Sequence, residues 1–245
     1  MTLPNFLIIG APKCGTTALY AALARHPQVY MSQVKEPNFF ALAGRKQPFA
    51  GPDGDALQRN AMLSWEQYIN LFAPAAEQRA LGEASTISLT DYQPEQTTEH
   101  IHRRAPQMRL VAVLRQPAER AYSQFAFRRQ RGFEPLASFQ EALEVEGQRI
   151  AANWSPYCRY WRNGFYARNL KPYIELLPRE QIRLYLYEEW CRQPHALWTD
   201  LYNFLGINPM VAADPIARVT DSYRSDILQL QTLIGRDLSH WFVPS

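Results

Sequence analysis

Short, unbroken apolar runs recur along the chain and alternate with longer stretches of mixed polarity. The clearest runs are Phe6-Leu7-Ile8-Ile9 and residues 109–114, followed by 182–187 and the weaker run 29–31. Apolar side chains at every position are typical of strands buried on both faces of a parallel sheet. Helix-forming stretches lie between these strands or follow them, at residues 18–25, 65–72, 97–104, 118–131 and 194–205. Strands separated by helices predict an α/β sandwich with a central parallel sheet.

No internal repeat and no linker-like stretch divides the chain, so a single domain over residues 1–245 is predicted. Residues 41–62 contain three glycines and two prolines. This composition is typical of a long surface loop, and we expect one there.

Composition narrows the class of protein. The chain has 245 residues, of which 47% are hydrophobic and 20% charged, a balance that excludes a disordered chain. No apolar run approaches the roughly 18–20 residues of a membrane span, and the first residues do not resemble a signal peptide. An odd number of widely spaced cysteines (Cys14, Cys158 and Cys191) suits a reducing compartment. A net charge of +3 is too small to indicate nucleic-acid binding. We therefore expect a soluble, cytoplasmic protein without membrane insertion.

The loop after the first apolar run has the composition of a phosphate-binding loop. It reads Gly10-Ala11-Pro12-Lys13-Cys14-Gly15-Thr16-Thr17 and lies between a predicted strand and a helix. The amides at a helix N-terminus bind anions, and glycines let the backbone approach a ligand closely. Two hydroxyl groups and one ammonium group add further donors.

This loop differs from that of a nucleotide triphosphatase. There a lysine follows the second glycine, whereas here Thr16 takes that place and the lysine stands earlier, at position 13. The strand at 109–114 ends in Arg115 and not in an acid that would help to hold Mg²⁺. Because strand 182–187 does end in Glu188-Glu189, a metal-dependent kinase or triphosphatase stays open as the alternative.

A second basic anchor follows the second clear strand. Arg115 ends that strand, and Ser123 lies about two helical turns further on. The carboxyl ends of parallel strands face one crevice, so Arg115 and Lys13 can reach the same ligand, a nucleotide with phosphates at both ends. A surface ion pair of Arg115 with Glu119 is the other interpretation. The arginines at 128, 129 and 131 are expected to form the solvated end of the same helix.

Taken together, these motifs resemble the sulfotransferases that use 3′-phosphoadenosine 5′-phosphosulfate (PAPS). Residues 12–19 resemble their 5′-phosphosulfate loop, and Leu114-Arg115-Gln116-Pro117 with Ser123 resembles their 3′-phosphate element. Residues 35–40, Lys-Glu-Pro-Asn-Phe-Phe, are similar to the Lys-Glu-Pro-His-Phe-Phe segment of the heparan-sulfate-type branch.

The resemblance implies a P-loop-like three-layer α/β sandwich, with the central parallel sheet flanked by helices. It further implies PAPS as donor, PAP as product, and no metal. Lys13 would neutralise charge on the leaving oxygen. The other donor-binding residues implied are Cys14, Gly15, Thr16, Thr17 and Ala18 around the 5′-phosphate, and Arg115 and Ser123 at the 3′-phosphate. The restraint that holds Lys13 before the sulfate arrives is not evident from the sequence.

Glu36 corresponds to the glutamate that is the catalytic base in the heparan-sulfate-type branch, so the resemblance implies the same role here. Two interpretations stay open for the neighbouring pair Lys35 and Glu36, namely an active-site base or a surface ion pair. A histidine base, as in the small-molecule branch, finds no matching motif around the five histidines. Glu83 stands where the heparan-type branch carries Glu-Lys-Thr-Pro, but Ala84 replaces its lysine.

The sequence thus predicts an enzyme that moves a sulfuryl group from PAPS to a hydroxyl of a carbohydrate, lipid or small-molecule acceptor. A non-catalytic PAPS- or PAP-binding module is the further alternative, and the oligomeric state is undetermined. The aromatic residues Trp154, Tyr157, Tyr160 and Trp161 suit either an acceptor pocket or the core. Arg218 and Arg224 are candidates for a basic loop over the donor.

Overall fold

Five parallel strands form the centre of the fold. The structure, a computed structural model, describes residues 3–45, 48–209, 226–232 and 237–238. The strands are β1 Phe6–Gly10, β2 Val29–Met31, β3 Ala80–Ala84, β4 Arg109–Leu114 and β5 Ile182–Leu186. They pair in the order β2-β3-β1-β4-β5. The predicted α/β fold with a parallel sheet is confirmed.

β1 lies at the middle of the sheet, and all five of its residues are buried. It pairs with β3 on one side and β4 on the other, so Leu7 is level with both Glu83 and Leu110. Burial from both faces explains the unbroken apolar run, since no position of this strand meets water. The loop that follows β1 therefore starts from a fixed point at the centre of the sheet.

Helices connect the strands and flank the sheet. In chain order they are α1 Thr16–Leu23, α2 Phe39–Leu42, α3 Gly54–Asn60, α4 Trp65–Asn70, α5 Pro94–Arg104, α6 Pro117–Gln130, α7 Phe139–Glu144, α8 Glu146–Ala151, α9 Tyr166–Leu176, α10 Tyr187–Arg192 and α11 Pro194–Leu205. Short 3₁₀ helices cover Thr86–Leu89, Pro156–Cys158, Arg162–Gly164 and Arg179–Gln181.

The predicted strands are all present, although β5 ends one residue earlier than predicted. The sequence did not predict β3. The long loop predicted at residues 41–62 is wrong in part, because α3 lies within it and Asp53 before α3 is buried.

The chain divides into two compact units, Met1–Asn208 and Pro209–Ser245. The first holds the sheet and helices α1 to α11. In the second, a helix spans residues 226–232, and the amide of Leu238 donates to Gln231 Oε1 at 2.9 Å. Arg218 and Arg224 lie outside the described residues. Within the described ranges, no helix is long and apolar enough to cross a bilayer.

Candidate active site

The loop between β1 and α1 presents backbone amides at the carboxyl edge of the sheet. Gly15 precedes α1 with a φ of 87°, a left-handed conformation that favours glycine. Because glycine has no side chain to cap the helix, the first amides of α1 remain available to an anion. Thr16 is buried and Thr17 exposed at this helix start. The structure thus places the predicted phosphate-loop residues, including Cys14 and Ala18, around one helix N-terminus.

Lys13 extends from this loop into a cleft. Its Nζ lies 4.0 Å from the centre of the Phe127 ring, which restrains the side chain through a cation–π contact. Burial lowers the pKa of Lys13 below its usual value, and the positive charges of Arg115, Arg131 and Lys35 lower it further. Several cations thus converge where an anion is expected. Phe127 could not be identified from the sequence as this partner, because it lies 114 residues further along the chain.

Arg115 stands at the end of β4, as predicted, and it is paired. Its Nη2 and Nε lie 2.9 and 3.2 Å from Glu119 Oε2, so the ion-pair interpretation also holds. The Arg115 guanidinium lies 5.2 Å from the centre of the Tyr187 ring. That ring packs on the phosphate loop, since a Cβ added to Gly15 would lie 3.3 Å from it. Arg115 and Ser123 do not line the cleft that holds Lys13.

Tyr166 joins the two predicted phosphate-binding elements. Its hydroxyl donates to the carbonyl oxygen of Arg115 at 2.9 Å and lies 3.9 Å from Cys14 Sγ. Burial raises the pKa of Cys14 to about 11, so this thiol stays protonated and unreactive near neutral pH. The backbone amide of Cys14 donates to the carbonyl oxygen of Ala11 at 3.3 Å, so Cys14 closes a turn within the loop.

Glu36 faces the same cleft as Lys13, and its carboxylate accepts four hydrogen bonds. Thr86 donates twice, from its amide to Oε2 at 2.8 Å and from its hydroxyl to Oε1 at 3.0 Å. The Tyr157 hydroxyl donates to Oε2 at 2.9 Å, and Lys35 Nζ lies 3.1 Å from Oε1. Burial, together with the charge of Glu36, raises the pKa of Tyr157 well above the usual value, which keeps it a donor. The carboxylate is thereby fixed in one orientation.

The cleft has a volume of about 530 Å³ and brings predicted and unpredicted residues together. Its lining includes Lys13, Thr16, Thr17, Lys35, Glu36 and Tyr157. Tyr157 is the member of the predicted aromatic group that reaches the cleft, whereas Tyr160 is fully buried and Trp161 is exposed. Thr86, which also lines the cleft, was not predicted as a site residue, although it ends the small-residue stretch that begins at Gly82.

Glu83 lies behind Glu36 and does not line the cleft. It is fully buried, with Ser85 Oγ donating to its Oε2 at 2.8 Å. The Ser85 oxygen in turn accepts from the amide of Asn38 at 2.9 Å. Burial raises the pKa of Glu83 to about 8, and the negative charge of Glu36 adds to the shift. Through Ser85, Glu83 therefore supports the segment that carries Glu36, and its burial favours the neutral carboxyl.

Asp53 and Arg128 also line the cleft, and for Arg128 the sequence interpretation was wrong. Arg128 is buried, not a solvated helix end, and it makes a two-pronged ion pair with Asp53 at 2.6 and 3.0 Å. This pair ties the segment before α3 to α6. Arg129 and Arg131 are exposed, as predicted, and Arg131 lines the cleft.

His100, a candidate for an alternative base, and Glu188, a candidate metal ligand, do not line this cleft. His100 packs against Phe39 and Phe40, and its Nδ1 donates to the carbonyl oxygen of Phe40 at 3.2 Å, which is a core role. Glu188 accepts from the amide of Gln116 at 2.9 Å. In the part of the chain that the structure describes, no group of three or more His, Cys, Asp or Glu could hold a metal ion.

Comparison with known proteins identifies the family. The sequence profile of the sulfotransferase family matches residues 4–210. Carbohydrate sulfotransferase 15 of Mus musculus is 26% identical over 250 residues, which cover 85% of this chain and 44% of the mouse protein. The chain thus spans less than half the length of the curated relatives it matches.

Solved structures agree with this match. A sulfotransferase from Alicyclobacillus acidocaldarius superposes with a TM-score of 0.80 at 32% identity, covering 98% of this chain and 99% of that one. A mouse sulfotransferase complexed with PAP gives 0.52 at 14% identity, covering 89% and 63%, and shows the shared fold. Since the family profile covers most of the residues, this chain belongs to the sulfotransferase family.

Proposed function

We propose that the chain transfers a sulfuryl group from PAPS to a hydroxyl of a carbohydrate-type acceptor and releases PAP. The observation that carries this proposal is the single cleft shared by Lys13, the threonines of the phosphate loop, and Glu36. A loop with available helix N-terminal amides and a fixed carboxylate in one cleft suit in-line transfer between a bound donor and an acceptor hydroxyl.

In the proposed reaction, Glu36 takes the proton of the acceptor hydroxyl as its oxygen forms a bond to sulfur. The bond from sulfur to the 5′-phosphate oxygen breaks, and that oxygen keeps the electron pair. Lys13 and the amides at the start of α1 stabilise the negative charge that develops there. Thr16 and Thr17 hold the 5′-phosphate. The chemistry depends on positioning and charge, which the cation cluster around Lys13 supplies.

The donor assignment rests on a second anion-binding point beside the cleft. Arg115 and Ser123, at the β4–α6 junction, would hold the 3′-phosphate that distinguishes PAPS from ATP. Support comes from the charge coupling between Arg115 and Lys13 and from the Tyr166 link between the two elements. The PAP bound to the mouse sulfotransferase of the same fold is a further argument for this donor.

The acceptor class is inferred from the walls of the cleft and from the relatives. Phe127 and Phe133 provide an apolar side, while Lys35 and Arg131 provide cations. A carbohydrate presents both apolar ring faces and polar groups to such walls. The name of the mouse relative, a carbohydrate sulfotransferase, agrees with this class.

Glu36→Gln tests the proposed function. The amide keeps the shape of the side chain but cannot accept the proton, so turnover is expected to fall by roughly 100-fold or more. PAP affinity, measured by calorimetry, is expected to stay within about twofold of wild type because Glu36 is not part of the donor site. PAP formation from PAPS, measured with a panel of neutral and acidic oligosaccharides, reports turnover.

Glu175→Gln is the matched control, since Glu175 is an exposed carboxylate paired with Lys171. Full activity of Glu36→Gln would remove Glu36 as the base. Tight binding of PAP without turnover on any acceptor, in wild type as well, would favour the non-catalytic binding module.

A further inference from the structure

Lys35 occupies one of the hydrogen-bonding positions on the Glu36 carboxylate. Its Nζ contacts Glu36 Oε1 at 3.1 Å, and both side chains are partly exposed, at 28% and 23%. The other oxygen, Oε2, accepts from Thr86 and Tyr157, and Oε1 also accepts from the Thr86 hydroxyl. A carboxylate offers about four lone-pair sites, so all are in use. A general base needs one of them free for the incoming proton.

Of the four donors on Glu36, Lys35 is the one that is charged and stands on a long, flexible stem. The Thr86 amide belongs to the backbone of the 3₁₀ helix that follows β3, and the Thr86 and Tyr157 hydroxyls lie 3.3 Å apart, so these two donors also hold each other in place. Lys35 carries a point charge on a flexible four-carbon stem, and it lines the open cleft. Displacing it costs the least reorganisation of the protein.

The cleft also offers Lys35 a second partner when a donor is bound. Lys35 and Lys13 line the same cleft, and their positive charges repel each other across it. An anionic group placed between two ammonium groups relieves this repulsion and accepts hydrogen bonds from both. The sulfuryl group of PAPS carries such oxygens, and the phosphate loop would present it to this space.

We propose that Lys35 exchanges Glu36 for the sulfuryl oxygens of bound PAPS and so frees Glu36 Oε1 for the acceptor hydroxyl. Lys35 then both masks the base in the free protein and binds the group that is transferred. The inference rests on the proposed function, since it takes PAPS as the donor. It assigns Lys35 two partners: Glu36 when no sulfuryl group is bound, and the sulfuryl oxygens when PAPS is bound.

PAPS and PAP differ by the sulfuryl group alone, so their relative affinities test the exchange without an acceptor. The affinity of Lys35→Met for PAPS is expected to be lower than that of wild type by about tenfold or more, because a charge-assisted contact is lost. PAP affinity is expected to change by less than about twofold. Calorimetry at low temperature, without acceptor, limits turnover during the titration.

Two further variants control the measurement. Lys171→Met removes an exposed lysine that pairs with Glu175, and it should leave both affinities unchanged. Lys35→Arg keeps the charge and should recover part of the preference for PAPS. If melting curves show that Lys35→Met does not fold, Lys35→Gln carries the same two expectations.

Equal losses for PAPS and PAP in the Lys35 variants, or no loss for either, would overturn the exchange. Wild-type protein that binds neither nucleotide would instead remove the donor assignment of the proposed function. The two failures are therefore distinguishable in the same titrations.

Discussion

At the scale of single residues, the cleft is built on backbone conformations that most side chains avoid. Lys13, Glu36 and Asn38 all have positive φ angles, of 67°, 60° and 55°. Such conformations cost a non-glycine residue roughly 1–2 kcal/mol, and they cluster at functional sites. Among the described residues, the buried side chain of Asn38 has no hydrogen-bond partner for its oxygen or its nitrogen. This segment is shaped for the position of Glu36 at some cost in stability.

Glu83 provides a residue-scale prediction for the dependence of stability on pH. The pKa of this buried carboxyl is raised from 4.5 to about 8, so the native protein keeps a proton that the unfolded chain releases between these values. Wild-type stability therefore falls, relative to Glu83→Gln, as the pH rises from 4.5 to 8. The variant should be more stable at pH 9, on the order of several kcal/mol, and equal to wild type near pH 4.5.

Urea unfolding at pH 5, 7 and 9 measures this difference. Glu180→Gln, at an exposed glutamate in a 3₁₀ helix, is the control and should track wild type at every pH. A stability difference between Glu83→Gln and wild type that does not grow with pH would show that Glu83 is ionised in the native protein.

At the scale of elements, the strands with unbroken apolar runs could be predicted, and β3 could not. Its sequence, Ala80-Leu81-Gly82-Glu83-Ala84, combines small residues with a charge, which do not indicate a buried strand. The fold requires these residues for reasons of packing. A Cβ on Gly82 would lie 2.4 Å from the Phe6 ring of β1, so only glycine fits between the two strands.

The β4–α6 junction provides a prediction about the donor's second phosphate. Arg115→Ala is expected to weaken PAPS binding by about tenfold or more, because the proposed guanidinium–phosphate contact would be lost. Adenosine 5′-phosphosulfate lacks the 3′-phosphate, so its affinity should change little. Glu119→Gln should act in the opposite direction and strengthen PAPS binding, since the Glu119 carboxylate competes for Arg115 in the free protein.

Competition titrations of both nucleotides against each variant give these affinities. Arg103→Ala removes an exposed arginine from the last turn of α5 and serves as the control. Equal losses of PAPS and adenosine 5′-phosphosulfate in Arg115→Ala would place Arg115 at some other part of the nucleotide, or in a purely structural role.

At the scale of the whole molecule, the contiguous parts of the candidate site could be located from the sequence, and the parts assembled from distant segments could not. The phosphate loop occupies eight neighbouring residues next to an unmistakable strand. Tyr157, by contrast, stands 121 residues from the Glu36 carboxylate it orients, and Asp53 stands 75 residues from Arg128. No local pattern encodes such pairs, because they arise only when the fold brings separate elements together.

Because the two proposed phosphate-binding points lie on different elements, a bisphosphate ligand should stabilise the first unit as a whole. PAP would connect the β1–α1 loop to the β4–α6 junction, and at about 100 times its dissociation constant it adds roughly 2.7 kcal/mol to the free energy of unfolding. For a protein of this size we expect Tm to rise by about 5 °C or more. Adenosine 5′-monophosphate, which occupies one point, should raise Tm less at the same concentration.

Differential scanning fluorimetry with a chelator present measures these Tm shifts, and a parallel sample contains ATP with Mg²⁺. Stabilisation by ATP with Mg²⁺ but not by PAP would mean that the loop binds a triphosphate, and the kinase alternative would then replace sulfuryl transfer.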